Sequence, residues 1–214
     1  MRTAVVVPVK DGARHLAAAL ASLAGGARPP DELVVVDDHS EDGSAELARR
    51  LGAVVLPNRG HGPAAARNTG VAATTGELVG FLDADDVAVP DRLLVQAGLL
   101  EADDGLDVAA GLARDVVDPD HPPTAPALRT FTAGTLLVRR STWERVGPLD
   151  EALGAGEVVE WVARARRAEV RWALHDDVVL LRRVHDANHS ASDRARAGYL
   201  DLARAAIRRQ RGEP

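Results

Sequence analysis

Two stretches of small and β-branched apolar residues, Thr3 to Val9 and Glu32 to Val36, run without polar alternation, and they restrict the fold more than any other feature of the chain. A strand with one face in water alternates; a continuous apolar run is expected of a strand covered on both faces, as in a parallel sheet between layers of helices. The intervening segment places Leu16, Leu20 and Leu23 at helical spacing, with Asp11 as its expected cap and Gly25-Gly26 and Pro29-Pro30 as its end. Together these form a βαβ unit, whose crossover is expected to be right-handed. A second helix is expected after Ser40 as N-cap, with Glu41 and Asp42 in its first turn. Ala53 to Leu56 reads as a third strand, Pro63 opens a helix running past Arg67 to about Ala73, and Leu78 to Leu82 reads as a fourth buried strand. This alternation predicts an α/β fold with a Rossmann-like, mostly parallel central sheet flanked by helices.

The regularity fades later in the chain. Pro90 begins a helix carrying Leu93, Leu94, Leu99 and Leu100, and Asp107 to Leu112 reads as a fifth strand. Asp118 to Pro126 holds four prolines and reads as a loop. Beyond it, the pattern predicts a strand over Thr132 to Val138, a helix around Trp161 to Ala168, a strand over Val178 to Leu181 and a helix from about Ser192 to Arg211. A length of 214 residues with 46% hydrophobic content suits one compact domain over residues 1–214. No apolar run approaches a membrane span, and Met1-Arg2-Thr3 leads directly into a strand, so a cytoplasmic location is expected.

Charge and inventory narrow the chemistry. With no cysteine, any metal must bind through oxygen or imidazole. Up to Leu128 there are 10 basic against 20 acidic residues, and from Arg129 onward 16 against 12. An acidic first part argues against nucleic-acid binding, which needs a basic footprint. Ligands of open parallel sheets bind at the carboxyl ends of the strands, and there the acidity concentrates: Asp11 follows the first strand, Asp37-Asp38-His39-Ser40 the second, and Asp83-Ala84-Asp85-Asp86 the fourth. Carboxylates crowded at one sheet edge oppose folding unless a positive charge sits among them. A divalent cation such as Mn²⁺ or Mg²⁺ resolves the conflict and grips substrate phosphates. The alternative is that these residues only cap helices and form turns.

Four passages carry a resemblance. They are Val5-Val6-Val7-Pro8-Val9-Lys10-Asp11-Gly12, the segment Val34 to Ser44 containing Asp37-Asp38-His39-Ser40-Glu41-Asp42-Gly43, the segment Ala64-Ala65-Ala66-Arg67-Asn68-Thr69-Gly70, and Gly76 through Asp91. In order and spacing they resemble a family 2 glycosyltransferase of GT-A fold. The resemblance implies a nucleotide-sugar-binding half over residues 1–113 and an acceptor-facing half over 114–214. It implies that Pro8 and Asp38 line the nucleobase site, that Arg67 reaches the base or diphosphate, that Asp83 approaches ribose or sugar, and that Asp85 is the metal ligand. A carboxylate acceptor suits the uracil imide and a guanidinium suits phosphate, so a UDP-sugar is the expected donor, with GDP- and dTDP-sugars left open.

Such enzymes commonly invert, using a base from a Glu-Asp pair just before a Trp-containing helix. Here that stretch reads Gly156-Glu157-Val158-Val159-Glu160-Trp161. The pair is absent, which leaves Glu157 and Glu160 as alternative bases. Arg182 to Ser190 resembles a tail in relatives from which His185 would join the metal or the diphosphate. His39 and His61 read as turn residues, and Trp143, Trp161 and Trp172 read as core or as sugar-stacking platforms. The arginine-bearing terminal helix reads as a solvated face, and is also compatible with an interfacial or partner-binding role and so with peripheral membrane contact; a homo-oligomer stays open. The acceptor is not written in the sequence. Two other readings stay open: a degenerate nucleotide-sugar-binding module, and a sugar-phosphate nucleotidyltransferase, for which the turn after the first strand is short and poor in glycine.

Overall fold

The computed structural model describes residues 1–117 and 125–184. The first half runs β1 (Thr3–Val9), α1 (Ala13–Ala24), β2 (Glu32–Asp37), α2 (Ser44–Arg50), β3 (Val54–Pro57), α3 (Gly62–Ala72) and β4 (Leu78–Phe81). Then follow β5 (Val87–Ala88), α4 (Arg92–Ala102), β6 (Val108–Val116), β7 (Leu136–Arg139), α5 (Arg140–Val146), α6 (Glu157–Arg167) and β8 (Trp172–Arg183). All the described strands join one sheet in the order β3-β2-β1-β4-β7-β6-β8-β5. The β3-β2-β1-β4 portion is parallel, β7 enters antiparallel between β4 and β6, β6 and β8 are parallel, and β5 pairs antiparallel with β8. The architecture is the expected α/β arrangement.

The apolar runs behave as their composition requires. Val5, Val7 and Val9 of β1 pack with Leu16, Leu20 and Leu23 of α1 and with Leu93 and Leu100 of α4. On the opposite face Val6 packs with Val34, Val36, Ala64 and Val71, in a cluster that also holds Trp143 and Trp161. Burying each such valine stabilises the fold by about 1.5–3 kcal/mol relative to exposure. Gly70 lets α3 lie directly on the sheet, because a Cβ there would sit 2.3 Å from Val6 Cγ1.

Two expected caps are corrected. Asp11 does not cap α1: Gly12 is the N-cap, and Asp11 takes a left-handed backbone (φ 48°) that turns its carboxylate to the Glu41 amide. Ser40 does not cap α2, which starts four residues later behind Gly43 (φ 84°). The polar residues of the Asp37 to Ser44 segment instead stitch two loops together. Ser40 Oγ accepts from the Asp11 amide, Ser44 Oγ from the Gly12 amide, and Asp42 Oδ2 from the Ala13 amide. Asp42 Oδ1 also accepts from the Ser44 amide, so one carboxylate serves the starts of α1 and α2.

Three other elements differ from expectation. β5 is too short to leave a pattern, and α5 follows β7 without a turn residue, its end marked only by Gly147 (φ 91°). β8 is far longer than Val178–Leu181 because its irregular pairing with β6 breaks the apolar periodicity. The expected terminal helix, and most of the proline-rich loop, lie outside the described residues. No helix among the described residues is long and apolar enough to cross a membrane.

Candidate functional site

The carboxyl ends of β1, β2 and β4 lie side by side, since β1 pairs with both of the others. At the end of β2, Asp38 is buried. Its Oδ1 accepts from Asn58 Nδ2 at 2.6 Å and its Oδ2 from the Gly62 amide at 2.9 Å. Asn58 follows β3 and is itself buried, also accepting from the Gly60 amide. Pro8, near the end of β1, is half-buried and pairs in register with Val36. Lys10 Nζ donates to the Asp38 carbonyl at 3.2 Å. The carboxylate is thus fixed on its protein side while keeping lone pairs for a further donor.

Arg67 projects from α3 and is almost wholly buried. Its Nη2 donates to Asp83 Oδ1 at 2.5 Å and its Nη1 to Glu157 Oε1 at 2.6 Å. Burial opposes its charge, but the two carboxylates more than offset that and hold the guanidinium above its ordinary pKa. One side chain therefore joins the turn after β4 to the first residue of α6. The adjacent Asn68 also reaches across the molecule. Its Nδ2 donates to the Leu149 carbonyl and its Oδ1 accepts from the Leu149 amide, pinning the segment that leads into α6.

Beyond Asp83 the acidic turn is crowded. Asp86 is buried and its pKa is pushed well above the ordinary carboxylate value, first by burial, then by the charges of Asp83 and Asp85. Its Oδ1 accepts from the Arg183 amide, and the Asp85 carbonyl accepts from Arg183 Nε, so the end of β8 holds this turn. These carboxylates are hard oxygen donors of the kind Mg²⁺ and Mn²⁺ prefer. Asp85 is half-buried within this turn. His185 lies outside the described residues.

The two candidate bases are separated by their surroundings. Glu157 belongs to the Arg67 cluster. Glu160 pairs with Arg164 at 2.8 Å, and Arg164 in turn donates to the carbonyls of Val146 and Pro148, so Glu160 steadies the loop after α5. Trp143 and Trp161 are buried and stacked, with ring centroids 5.5 Å apart, and serve as core behind the site. Trp172 meets Phe131 edge to face. Asn58 escaped the sequence reading, although it follows the third strand and so obeys the same strand-end rule that singled out Asp38 and Asp83.

Comparison with known proteins places the fold and the family. The chain is 27% identical over 199 residues to the glycosyltransferase AglE of Haloferax volcanii, covering 82% of this chain and 64% of that protein. It is 40% identical over 113 residues to the succinoglycan biosynthesis protein ExoU of Rhizobium meliloti, covering 50% of this chain and 31% of that protein. It thus spans less than two thirds of the length of either relative. Among solved structures, TarS of S. aureus in complex with UDP-GlcNAc superposes with a TM-score of 0.77 at 22% identity, over 90% of this chain and 61% of that one. The mannosyltransferase PcManGT of Pyrobaculum calidifontis, in complex with GDP-Man and Mn²⁺, gives 0.76 at 22% identity, over 95% and 64%. These likenesses show the GT-A fold. The family model described as glycosyl transferase family 2 matches residues 4–147, well over half of the chain and inclusive of the carboxyl ends of β1, β2, β3 and β4, and the chain belongs to that family.

Proposed function

We propose that this chain transfers a sugar from a UDP-sugar to an acceptor hydroxyl with inversion, residues 1–113 holding the donor and residues 114–214 facing the acceptor. The observation that carries the proposal is the Arg67 junction, which gathers Asp83 and Glu157 from remote parts of the chain beside the acidic turn. Asp38, preset by Asn58 and the Gly62 amide, accepts the uracil imide N–H, with Pro8 against the base. Asp83 uses the oxygen not bonded to Arg67 to accept from a ribose or sugar hydroxyl. Glu157 is likewise bonded to Arg67 through Oε1 alone, so Oε2 takes the acceptor proton. The acceptor oxygen forms its bond to the sugar C1 while the C1–oxygen bond to the diphosphate breaks, and that bonding pair leaves with the nucleotide.

A Mn²⁺ or Mg²⁺ ion held by Asp85, with His185 as a further ligand, would supply Lewis-acid neutralisation of the departing diphosphate. The donor and ion in the TarS and PcManGT complexes support a nucleotide-sugar and a divalent metal. One observation favours a second reading, a binding module without transfer: each candidate base already has an arginine partner. Calorimetry with UDP, with and without Mn²⁺, followed by donor turnover read by mass spectrometry, tests both. Glu157→Gln should abolish turnover while UDP still binds. Turnover that survives this change assigns the base elsewhere, and UDP binding by wild type without any turnover favours the module.

A further inference from the structure

Two imidazoles beside Asp38 have no part in the chemistry above. His39 directly follows it in a left-handed backbone conformation (φ 61°), an uncommon state for a non-glycine residue. His61 is the N-cap residue of α3, and its ring lies 4.7 Å from that of His39, tilted by 38°. One nitrogen from each ring and one carboxylate oxygen of Asp38 all lie within 4.8 Å of one another. The triplet therefore converges from the end of β2 and the start of α3, with Asp38 buried at its base and both histidines exposed.

The surroundings preset these groups as ligands. His39 Nε2 lies 3.1 Å from the Gly60 carbonyl. A carbonyl only accepts, so that nitrogen carries the ring proton and Nδ1 keeps its lone pair, the arrangement by which an outer hydrogen bond orients a metal-binding histidine. Asp38 is anchored at both oxygens by Asn58 and the Gly62 amide, yet each oxygen retains a second lone pair. Two imidazoles with one carboxylate form a borderline-soft donor set that favours Zn²⁺, Co²⁺ or Ni²⁺, whereas the all-oxygen acidic turn suits Mg²⁺ or Mn²⁺.

We infer that Asp38, His39 and His61 form a second metal site, chemically distinct from the acidic turn, that takes one first-row transition-metal ion. Resting on the reading of Asp38 as nucleobase acceptor, it follows that the ion and the base compete for one carboxylate, so Zn²⁺ acts as an antagonist of UDP binding.

The test is a Zn²⁺ titration by calorimetry, paired with Co²⁺ as a visible-absorption probe. It uses the full chain carrying Asp85→Asn, to remove the acidic turn's contribution, and no nucleotide. One equivalent should bind, with Co²⁺ showing ligand-field bands unlike those of the hydrated ion. His39→Gly suits the local φ and His61→Ala changes an exposed side chain, so both variants should keep the wild-type circular dichroism, and each should weaken Zn²⁺ by about tenfold or more. Absence of binding, or equal binding by the doubly substituted His39→Gly/His61→Ala protein, overturns the site. In protein retaining Asp85, Zn²⁺ should weaken UDP binding only when both histidines are present; unchanged UDP affinity overturns the competition. Zn²⁺ binding is read without nucleotide, so failure of the metal site and failure of the sugar-transfer reading give different results.

Discussion

Replacing Arg67 by methionine keeps the bulk of the side chain and removes the charge that Asp83 and Glu157 share. The Arg67 and Glu157 side chains are 5% and 11% exposed, and that of Asp83 is 38% exposed. Stripping the partner from a buried charge costs about 3–5 kcal/mol. The more solvated Asp83 adds about 1 kcal/mol or less, so Arg67→Met should lose about 4 kcal/mol, a large share of the ~5–15 kcal/mol that stabilises a typical domain. Glu157→Gln retains an oxygen acceptor and leaves Arg67 paired with Asp83, so it should cost about 1–2 kcal/mol. Once the arginine is gone, neutralising Glu157 removes the charge left stranded. The doubly substituted protein should therefore be about 2 kcal/mol more stable than the sum of the single losses predicts. Urea unfolding at pH 7 measures all four corners of the cycle, provided the m-values agree. An Arg67→Met loss below about 1 kcal/mol, or strict additivity with Glu157→Gln, refutes the reasoning that Arg67 is the electrostatic link between the two halves of the site.

Other substitutions probe the scaffold and the acidic turn. Gly70→Ala should lose about 1–3 kcal/mol despite alanine's better helix propensity, because its Cβ would meet Val6 Cγ1 at 2.3 Å; an unchanged thermal midpoint would show that α3 shifts freely. Asp42→Ala releases the amides of Ala13 and Ser44 together and should cost about 1–2 kcal/mol in urea unfolding, with Asp42→Asn recovering part of the loss. Asp107 tests pH dependence: burial raises its pKa, but the Arg171 amide, the Thr142 hydroxyl and Arg145 outweigh that and hold it below the ordinary value. Its contribution is therefore present above about pH 4 and fades as pH falls through the depressed value. The stability gap between wild type and Asp107→Asn should shrink on acidification, and a gap constant from pH 7 to 3 would count against the assignment. Mn²⁺ should raise the thermal midpoint of wild type by relieving repulsion in the acidic turn, and should have little effect on Asp85→Asn.

The β1-to-β4 architecture is legible in the sequence because its signals are local. Val5 to Val9 and Val34 to Val36 declare double burial by composition alone, and strand ends in a parallel sheet declare where ligands approach. The caps mislead for a physical reason: Asp11 and Ser40 satisfy amides in a neighbouring loop about 30 residues distant, so their short-range spacing to a helix start is no guide to their partners. Glu157 and Glu160 are the same residue type and only three residues apart in sequence. What separates them is that Arg67 faces one and Arg164 the other, a matter of tertiary placement. The later strands resist reading because β7 runs antiparallel between partners far away in sequence and β8 shifts register against β6.

That late strand carries a consequence for biosynthesis. The acidic turn sits between β4 and β5, yet β5 is held by Leu180 and Leu181 of β8, and Asp86 by the Arg183 amide. A nascent chain emerging from the ribosome holds β1 to β4 and their helices well before it holds these partners. The β1-to-β4 half can condense early from near-neighbour βαβ pairings, whereas the turn containing Asp85 gains its restraints from β8 only after residue 183 has been synthesised. Order of synthesis thereby separates condensation of the β1-to-β4 half of the sheet from fixing of the acidic turn beside it.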